Sequence, residues 1–330
     1  MIKKKVTIKE VAKHSGVSIS TVSQILNGKE HQFQPKTVKK VLDARDELGY
    51  EPDYFARRMI MKKSQTIGII VPDITNPFFA TLVKGIEDVL FKHDFMTILC
   101  NIDDDTSKGK KALEALNHRG VDGLIIASSS ISIDELTNQM NLQSVPVIEL
   151  DQQMTEDIRD SVRTDDYNGG KLVAEHFNEL NHKVVSALFP KNLSPNILKR
   201  LEGFAENFNG EVVKIDTDLS KESGKKSIEE VLKTNATAIF AANDEIAFGV
   251  YHGLMNHNKS IPEDYSVVGY DNIDMSSYVS PALTTVSQPI FELGQKTANT
   301  LIQRIQSPDK KDEEIILPVE LIERFSTART

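Results

Sequence analysis

Tryptophan is absent and cysteine occurs once, at Cys100, in a chain of 330 residues. A single thiol excludes a disulfide framework and fits a reducing compartment. No stretch approaches the ~18 consecutive apolar residues of a membrane span. The opening Met1-Ile2-Lys3-Lys4-Lys5-Val6 is basic but has no apolar run behind it, so it does not read as a secretory signal. A cytoplasmic location without membrane contact is therefore expected. Phosphate-cradling glycine patterns are missing as well, with no G-x-G-x-x-G after the first apolar run and no P-loop. His252 and His257 stand five apart, not at the spacing that puts two metal ligands on one helical face. Asp244 and Glu245 are adjacent carboxylates, and sequence neighbours at a strand end do not oppose each other as an acid–base pair must. Neither a catalytic residue nor a cofactor nor a metal is expected.

What is present is a globular inventory, 39% hydrophobic and 26% charged, with length enough for two or three domains. The net charge of −9 is unevenly spread. Residues 1–63 carry 14 Lys and Arg against 7 Asp and Glu, a net of +7, which leaves −16 on the remainder. A basic head on an acidic body is the asymmetry of a chain in which one domain meets phosphates and the other does not. A solvated lysine-rich tail would give the same numbers, so the head must be read for motifs.

Thr7-Ile8-Lys9-Glu10 is a capping box, and Ile8, Val11 and Ala12 behind it repeat at helical spacing. Gly16-Val17 breaks that helix, because a left-handed turn is open to glycine. Ser18 caps a second helix, expected over 19–27, with Val22, Ile25 and Leu26 facing inward. A third runs from Pro35 to Leu48 and ends at Gly49. Helix, glycine turn and a second helix with a polar outer face make a helix-turn-helix. Its exposed Ser20, Thr21, Ser23, Gln24 and Asn27 carry short donors and acceptors suited to base edges and phosphates.

From Thr66 onward, short apolar runs alternate with helical stretches. The runs are 67–71, 97–100, 124–127 and 145–150, then 184–189, 212–215, 238–242 and 267–270. Runs of this length without alternation, each followed by a helix, predict parallel strands covered on both faces. They predict an α/β body of two doubly wound lobes, whose ligands bind beyond the carboxyl ends of the strands. There stand Asp73, with Asn76, Phe78 and Phe79 after the first strand, Asp151 after the fourth, Asn243 after the seventh and Asp271 after the eighth. Arg200 is expected to open a helix of the second lobe, and Gln288 to lie on a return segment. Carboxylates, amides and a guanidinium around aromatic faces suit a polyhydroxyl ligand. Each also has a structural reading: Asp73, Asp151 and Asn243 suit helix N-caps, and Phe78 and Phe79 continue a core stripe.

The run Val6-Thr7-Ile8-Lys9-Glu10-Val11-Ala12, then Gly16-Val17-Ser18, Thr21-Val22-Ser23 and Leu26-Asn27, resembles the N-terminal signature of the LacI/GalR repressor family. The likeness continues through Leu48-Gly49-Tyr50-Glu51-Pro52 and over essentially the whole chain. It implies a helix-turn-helix at 1–49, a hinge helix at 50–63 and a sugar-binding and dimerisation domain at 64–330. The lobes of that domain are expected near 64–163 with 288–317, and near 164–287 with 318–330. It also implies operator contacts from Thr7, Ser18, Ile19, Ser20, Thr21, Ser23, Gln24 and Asn27, with Ile19, Ser20 and Gln24 at the variable reading positions. In the hinge, Arg57 would meet phosphate and Met59 stands where the family wedges a leucine into a base step. The body resembles the periplasmic sugar-binding fold. Asn76, Phe78, Phe79, Asp151, Arg200, Asn243, Asp271 and Gln288 match the pattern of ribose-binding proteins, and Asp73, Gln152 and Leu219 belong to the same expected site. The resemblance implies a repressor of a ribose operon, acting as a homodimer on a pseudo-palindromic operator and released by ribose or a similar pentose. Gln152 departs from the pattern, since ribose binders carry arginine there. Two readings within the family stay open: a catabolite-control regulator that answers to a phosphorylated carrier protein, and a hexose- or purine-responsive relative.

Overall fold

The computed structural model describes residues 6–51, 64–128, 145–150 and 160–330. The chain divides into two compact units, Met1–Ser64 and Gln65–Thr330.

The first unit is three helices, α1 (Ile8–Ser15), α2 (Ile19–Leu26) and α3 (Pro35–Leu48). The Glu10 carboxylate accepts from the Thr7 amide at 2.7 Å and fixes the start of α1. Gly16 ends it at φ 71°, where a side chain would be strained. Ser18 Oγ then accepts from the Thr21 amide at 3.1 Å and starts α2. Val11, Ala12, Val22, Ile25, Val41 and Ala44, one stripe from each helix, form the core.

The second unit holds two six-stranded sheets. The first combines β1 (Thr66–Val71), β2 (Met96–Asn101), β3 (Gly123–Ile126), β4 (Val147–Leu150), β5 (Ser161–Thr164) and β11 (Glu314–Leu317). Its order is β11-β5-β4-β3-β1-β2, parallel throughout. The second combines β6 (Val184–Phe189), β7 (Glu211–Asp216), β8 (Ala238–Ala241), β9 (Ser266–Asp271), β10 (Thr284–Ser287) and β12 (Glu320–Ile322). It has the order β12-β10-β9-β8-β6-β7, parallel except for β12, which runs antiparallel along the β10 edge. The helices are α4 (Pro77–Lys92), α5 (Thr106–Arg119), α6 (Asp166–Glu179), α7 (Pro195–Asn207), α8 (Lys221–Val231), α9 (Asp244–Asn256) and α10 (Ile290–Gln306). β1 and β9 are buried almost end to end, as strands covered on both faces should be.

Several expectations need correction. The apolar runs predict eight strands where twelve are described: β5, β10, β11 and β12 are three or four residues long, and their hydroxyls and charges break the apolar signal. The fourth strand starts at Val147 rather than Val145, and the segment after it, 151–159, lies outside the described residues. Arg200 does not open a helix. Pro195 opens α7, and Arg200 sits in its middle, buried.

The crossing of α6 and α7 decides where Arg200 goes. A Cβ on Gly170 would run into the Arg200 carbonyl oxygen, and one on Gly203 into that of Tyr167. The two backbones touch because both positions are glycine, and this seats Arg200 against the first turn of α6.

Candidate functional site

On the first unit, Thr7, Ser18, Ile19, Ser20 and Gln24 are exposed and Thr21, Ser23 and Asn27 are half-buried. Several of these polar groups already have partners within the unit. Thr7 Oγ1 donates to Glu10, Ser18 Oγ lies 2.9 Å from Thr21 Oγ1, and Asn27 Nδ2 donates to the Ser23 carbonyl at 2.7 Å. Ile19 at 45% exposure, with Ser20 and Gln24, forms the outward face of α2. Arg57 and Met59 lie outside the described residues.

In the second unit, nine of the expected effector residues surround one cavity of about 380 Å³: Asp73, Asn76, Phe78, Phe79, Arg200, Leu219, Asn243, Asp271 and Gln288. A cavity of that volume at the strand ends is the size and place of a small-molecule site. Asp151 and Gln152 lie outside the described residues.

The parts contributed by the first sheet begin where β1 ends. Asp73 Oδ1 accepts from the Thr75 amide at 2.8 Å and the Thr75 hydroxyl at 2.7 Å, so it folds the turn and does not cap α4. Asn76 is the cap, accepting from the Phe78 amide at 2.9 Å. The Phe78 and Phe79 rings meet edge to face with centroids 5.1 Å apart. Phe78 belongs to the core and Phe79 packs against it, so core packing and cavity lining are one role here. Asp104 and Ser128 also line this side, the Ser128 hydroxyl donating to Asp104 Oδ1 at 3.3 Å. Burial pushes the Asp104 carboxyl above the usual carboxylate range.

The second sheet contributes a tighter network. Arg200 Nε and Nη2 donate to Asp166 Oδ1 at 3.1 and 2.7 Å, and Nη1 donates to the Ala242 carbonyl. Its guanidinium carbon lies 3.3 Å from the centre of the Tyr270 ring, a cation–π contact. Asn243 caps α9 by accepting from the Ile246 amide at 2.9 Å while it lines the cavity. Asp271 is buried, at a φ of 117° that side chains rarely adopt, and burial pushes its carboxyl well up. Gln288 Nε2 donates to Asp271 Oδ1 at 2.7 Å, and Gln288 Oε1 accepts from Thr164 Oγ1 at 2.7 Å. Behind them Asp244 is fully buried and accepts from Ser276 Oγ at 2.5 Å, Thr285 Oγ1 at 2.6 Å and the Ile273 amide at 3.0 Å. Burial raises its carboxyl to about 6.

Sequence reasoning missed Asp104, Ser128, Ser194, Asn196, Asp218, Ser220 and Glu245 in the lining, and Thr164 and Asp166 behind it. One signal was available. Asp103-Asp104-Asp105 follows a recognised strand at its carboxyl end. Asp166 follows a strand too short and polar to be recognised.

Residues 64–325 match the family described as periplasmic binding proteins and sugar binding domain of the LacI family, and residues 7–53 match the bacterial regulatory proteins of the lacI family. The chain is 34% identical to the ribose operon repressor of Halalkalibacterium halodurans, over 97% of each chain. A LacI family transcriptional regulator from Enterococcus faecalis V583, solved with bound ribose, is 52% identical at a TM-score of 0.77, covering 80% of this chain and 99% of that one. The lac repressor dimer bound to operator and the anti-inducer ONPF is 28% identical at a TM-score of 0.85, covering 98% of this chain and 100% of that one. Among the described residues no helix is long and apolar enough to cross a membrane. Both parts of the chain thus match one lineage, and the protein belongs to the LacI family of bacterial transcriptional regulators.

Proposed function

We propose that this protein represses a pentose-utilisation operon, holding its operator as a homodimer and letting go when ribose or a close relative enters the cavity. The observation that carries the reading is the convergence of Asp73, Asn76, Phe78, Phe79, Arg200, Leu219, Asn243, Asp271 and Gln288 on one cavity. The ribose held by the Enterococcus faecalis relative supports it. Asp271, Asn243, Asn76 and Gln288 supply acceptors and donors for adjacent hydroxyls, while Phe78 and Phe79 offer faces to the sugar's C–H groups. Asp151 and Gln152 are assigned to the same site from the sequence.

On the DNA side, Ile19, Ser20 and Gln24 read base edges from the outward face of α2, and Thr7, Ser18, Thr21, Ser23 and Asn27 fix the helix against phosphates. Arg57 and Met59 extend the contact into the minor groove. The segments assigned are 1–49 for operator recognition, 50–63 for the hinge and 64–330 for sensing and dimerisation. Two such heads meet half-sites one helical turn of DNA, about 34–36 Å, or a multiple of it apart. Their pseudo-palindrome mirrors the two-fold axis of the dimer.

The test is calorimetric titration with ribose, followed by operator binding measured with and without it. Saturable ribose binding, lost in Asp271→Ala and Arg200→Ala, with operator affinity lowered by ribose, is the expected result. Ribose binding that leaves operator affinity unchanged would refute the coupling, since each ligand must alter the other's affinity by the same factor.

A further inference from the structure

A second cavity, of about 330 Å³, shares no described lining residue with the first. Its walls are α6 and β12, both within the continuously described stretch 160–330. Leu172, Glu175, His176 and Glu179 share one face of α6. Leu321 on β12 and Glu323 just beyond it stand opposite.

His176 is 6% exposed. Its Nε2 lies 3.0 Å from Thr327 Oγ1, while Nδ1 has no hydrogen bond among the described residues. Glu323 Oε2 stands 3.9 Å from Nδ1, beyond hydrogen-bond reach. With Nε2–H donating to Thr327, Nδ1 is a bare lone pair beside a carboxylate. The opposite tautomer would aim a buried N–H at an oxygen too far away to accept it. Burial holds the imidazole below its ordinary value, against the pull of Glu323 and Glu179, so it is neutral at neutral pH. Two acceptors at this separation need a shared proton donor, and an ammonium nitrogen between them reaches both at ordinary hydrogen-bond length.

The surrounding cations do not supply that donor. Lys171 reaches Glu175 at 3.6 Å, Arg324 donates to the Leu283 carbonyl and Asn272 Oδ1, and Arg329 donates to the main-chain carbonyl of Glu179. No lysine or arginine is among the described lining residues. Glu179 is the last residue of α6, where the carbonyl end of the helix adds partial negative charge and favours a cation. A metal ion is a poorer match, since among the described residues no group of His, Cys, Asp and Glu is placed to hold one. Leu172 and Leu321 leave apolar surface between the carboxylates, which suits methylene groups between charged ends.

We infer that this groove binds a small aliphatic oligoamine, of the class of putrescine and spermidine. One ammonium donates to His176 Nδ1 and Glu323, a second lies against Glu175 and Glu179, and the methylenes between them cover Leu172 and Leu321. The occupant joins α6, which follows β5, to β12, which follows β11, and so holds together two segments that enter the second lobe separately. The chain then carries a second small-molecule input, and the inference stands whether or not the first cavity takes a sugar.

The experiment is titration calorimetry of the full chain, without DNA and at constant ionic strength, with spermidine, putrescine and Mg²⁺. Spermidine is expected to saturate a single site. Putrescine should bind more tightly than Mg²⁺ of the same charge, because the groove recognises N–H donors and methylenes as well as charge. Glu179→Gln/Glu323→Gln should weaken spermidine by roughly tenfold or more, at about 1.4 kcal/mol per decade, with a native circular dichroism spectrum. Should that variant not fold, Glu323→Gln alone should weaken it by roughly threefold. In ¹⁵N NMR spectra the His176 Nδ1 resonance should move on titration, while that of His182, held between Thr237 and Ser266, stays. Absence of saturable spermidine binding would overturn the inference. Binding that survives the double variant, Mg²⁺ that matches putrescine, or an unmoved His176 Nδ1 resonance would each overturn it too, by marking a diffuse ion atmosphere or another site.

Discussion

Removing the Asp166 carboxylate tests how the cavity wall is held. The Arg200 and Asp166 side chains are 3% and 4% exposed and meet at 2.7 Å, so solvent does not screen the pair. In Asp166→Ala the guanidinium stays buried without its counter-ion, a change that typically destabilises by about 3–5 kcal/mol. Arg200 keeps the Ala242 carbonyl and the Tyr270 face, which places the expectation in the lower half of that range. At about 2–4 °C per kcal/mol for a unit of this size, the melting temperature should fall by ~6–16 °C. Asp166→Leu/Arg200→Met leaves no buried charge, and its stability should return to within about 1 kcal/mol of the native chain. Urea unfolding of the native chain, Asp166→Leu, Arg200→Met and the double variant, followed by far-UV circular dichroism, gives the coupling energy directly. The double variant should regain stability without regaining ribose affinity, because Arg200 also lines the cavity. A loss below about 1 kcal/mol in Asp166→Ala, or a double variant less stable than that single one, would refute the reasoning.

Four further outcomes are expected. Gly170→Ala drives a Cβ into the Arg200 carbonyl and forces α6 from α7; a destabilisation of about 1–3 kcal/mol, with weaker ribose binding, should appear in unfolding and calorimetric titrations. Asp244, raised to about 6 from an unfolded value of 3.8, holds its proton more tightly when folded. Its stabilising share is therefore full below pH ~4 and lost as pH rises through about 6, on the order of 3 kcal/mol at 1.36 kcal/mol per unit. Unfolding measured from pH 4 to 7.5 should show that decline in the native chain and much less of it in Asp244→Asn. Ile25, 2% exposed in a core of six buried residues, should leave the head unfolded when cut to alanine, at about 2–5 kcal/mol; operator binding by fluorescence anisotropy would vanish while ribose titration persists. Ser20→Ala and Gln24→Ala should each weaken operator binding by about 1–3 kcal/mol and relax preference at one base position, with the fold unchanged by circular dichroism.

Legibility in the sequence depends on how locally each feature is encoded. Thr66–Val71 is visible because its residues are apolar without interruption and buried on both faces. Ser161–Thr164 is not, because Arg163 in its middle pairs with Glu314 on a strand 151 residues away. Thr284–Ser287 is buried, yet reads as polar. Its hydroxyls are satisfied by partners remote in sequence: Thr285 donates to Asp244, and Thr284 Oγ1 accepts from the Arg324 amide. The same division holds for the cavity. Asp73, Asn76, Asn243 and Asp271 stand directly after readable strands, and a general rule about strand ends finds them. Thr164 ends an unreadable strand and Asp166 opens the helix after it. The close crossing that turns Arg200 toward Asp166 depends on Gly170 and Gly203, 33 residues apart, whose match appears only when the helices are packed.

The chain passes between the two sheets three times, after β5, after β10 and between β11 and β12. Thr164 ends the strand that leads into the first of these passages and Gln288 lies in the second, and the hydrogen bond between them ties two passages together. Gln288 also holds Asp271, so the link runs from the passages into the cavity wall. A ligand shifts an equilibrium only through contacts that differ between two states. Contacts made to one lobe alone, such as those offered by Asn76 and Phe79 or by Asn243, contribute affinity in any arrangement of the lobes. Contacts made simultaneously to Asn76 on one side, Asp271 on the other and Gln288 on the passage exist in a single arrangement. Gln288→Ala should therefore separate the two properties. Ribose should still bind, more weakly, but its effect on operator affinity should fall by a larger factor than its affinity. Operator anisotropy at saturating ribose measures that effect directly, and an undiminished response there would place the switch elsewhere.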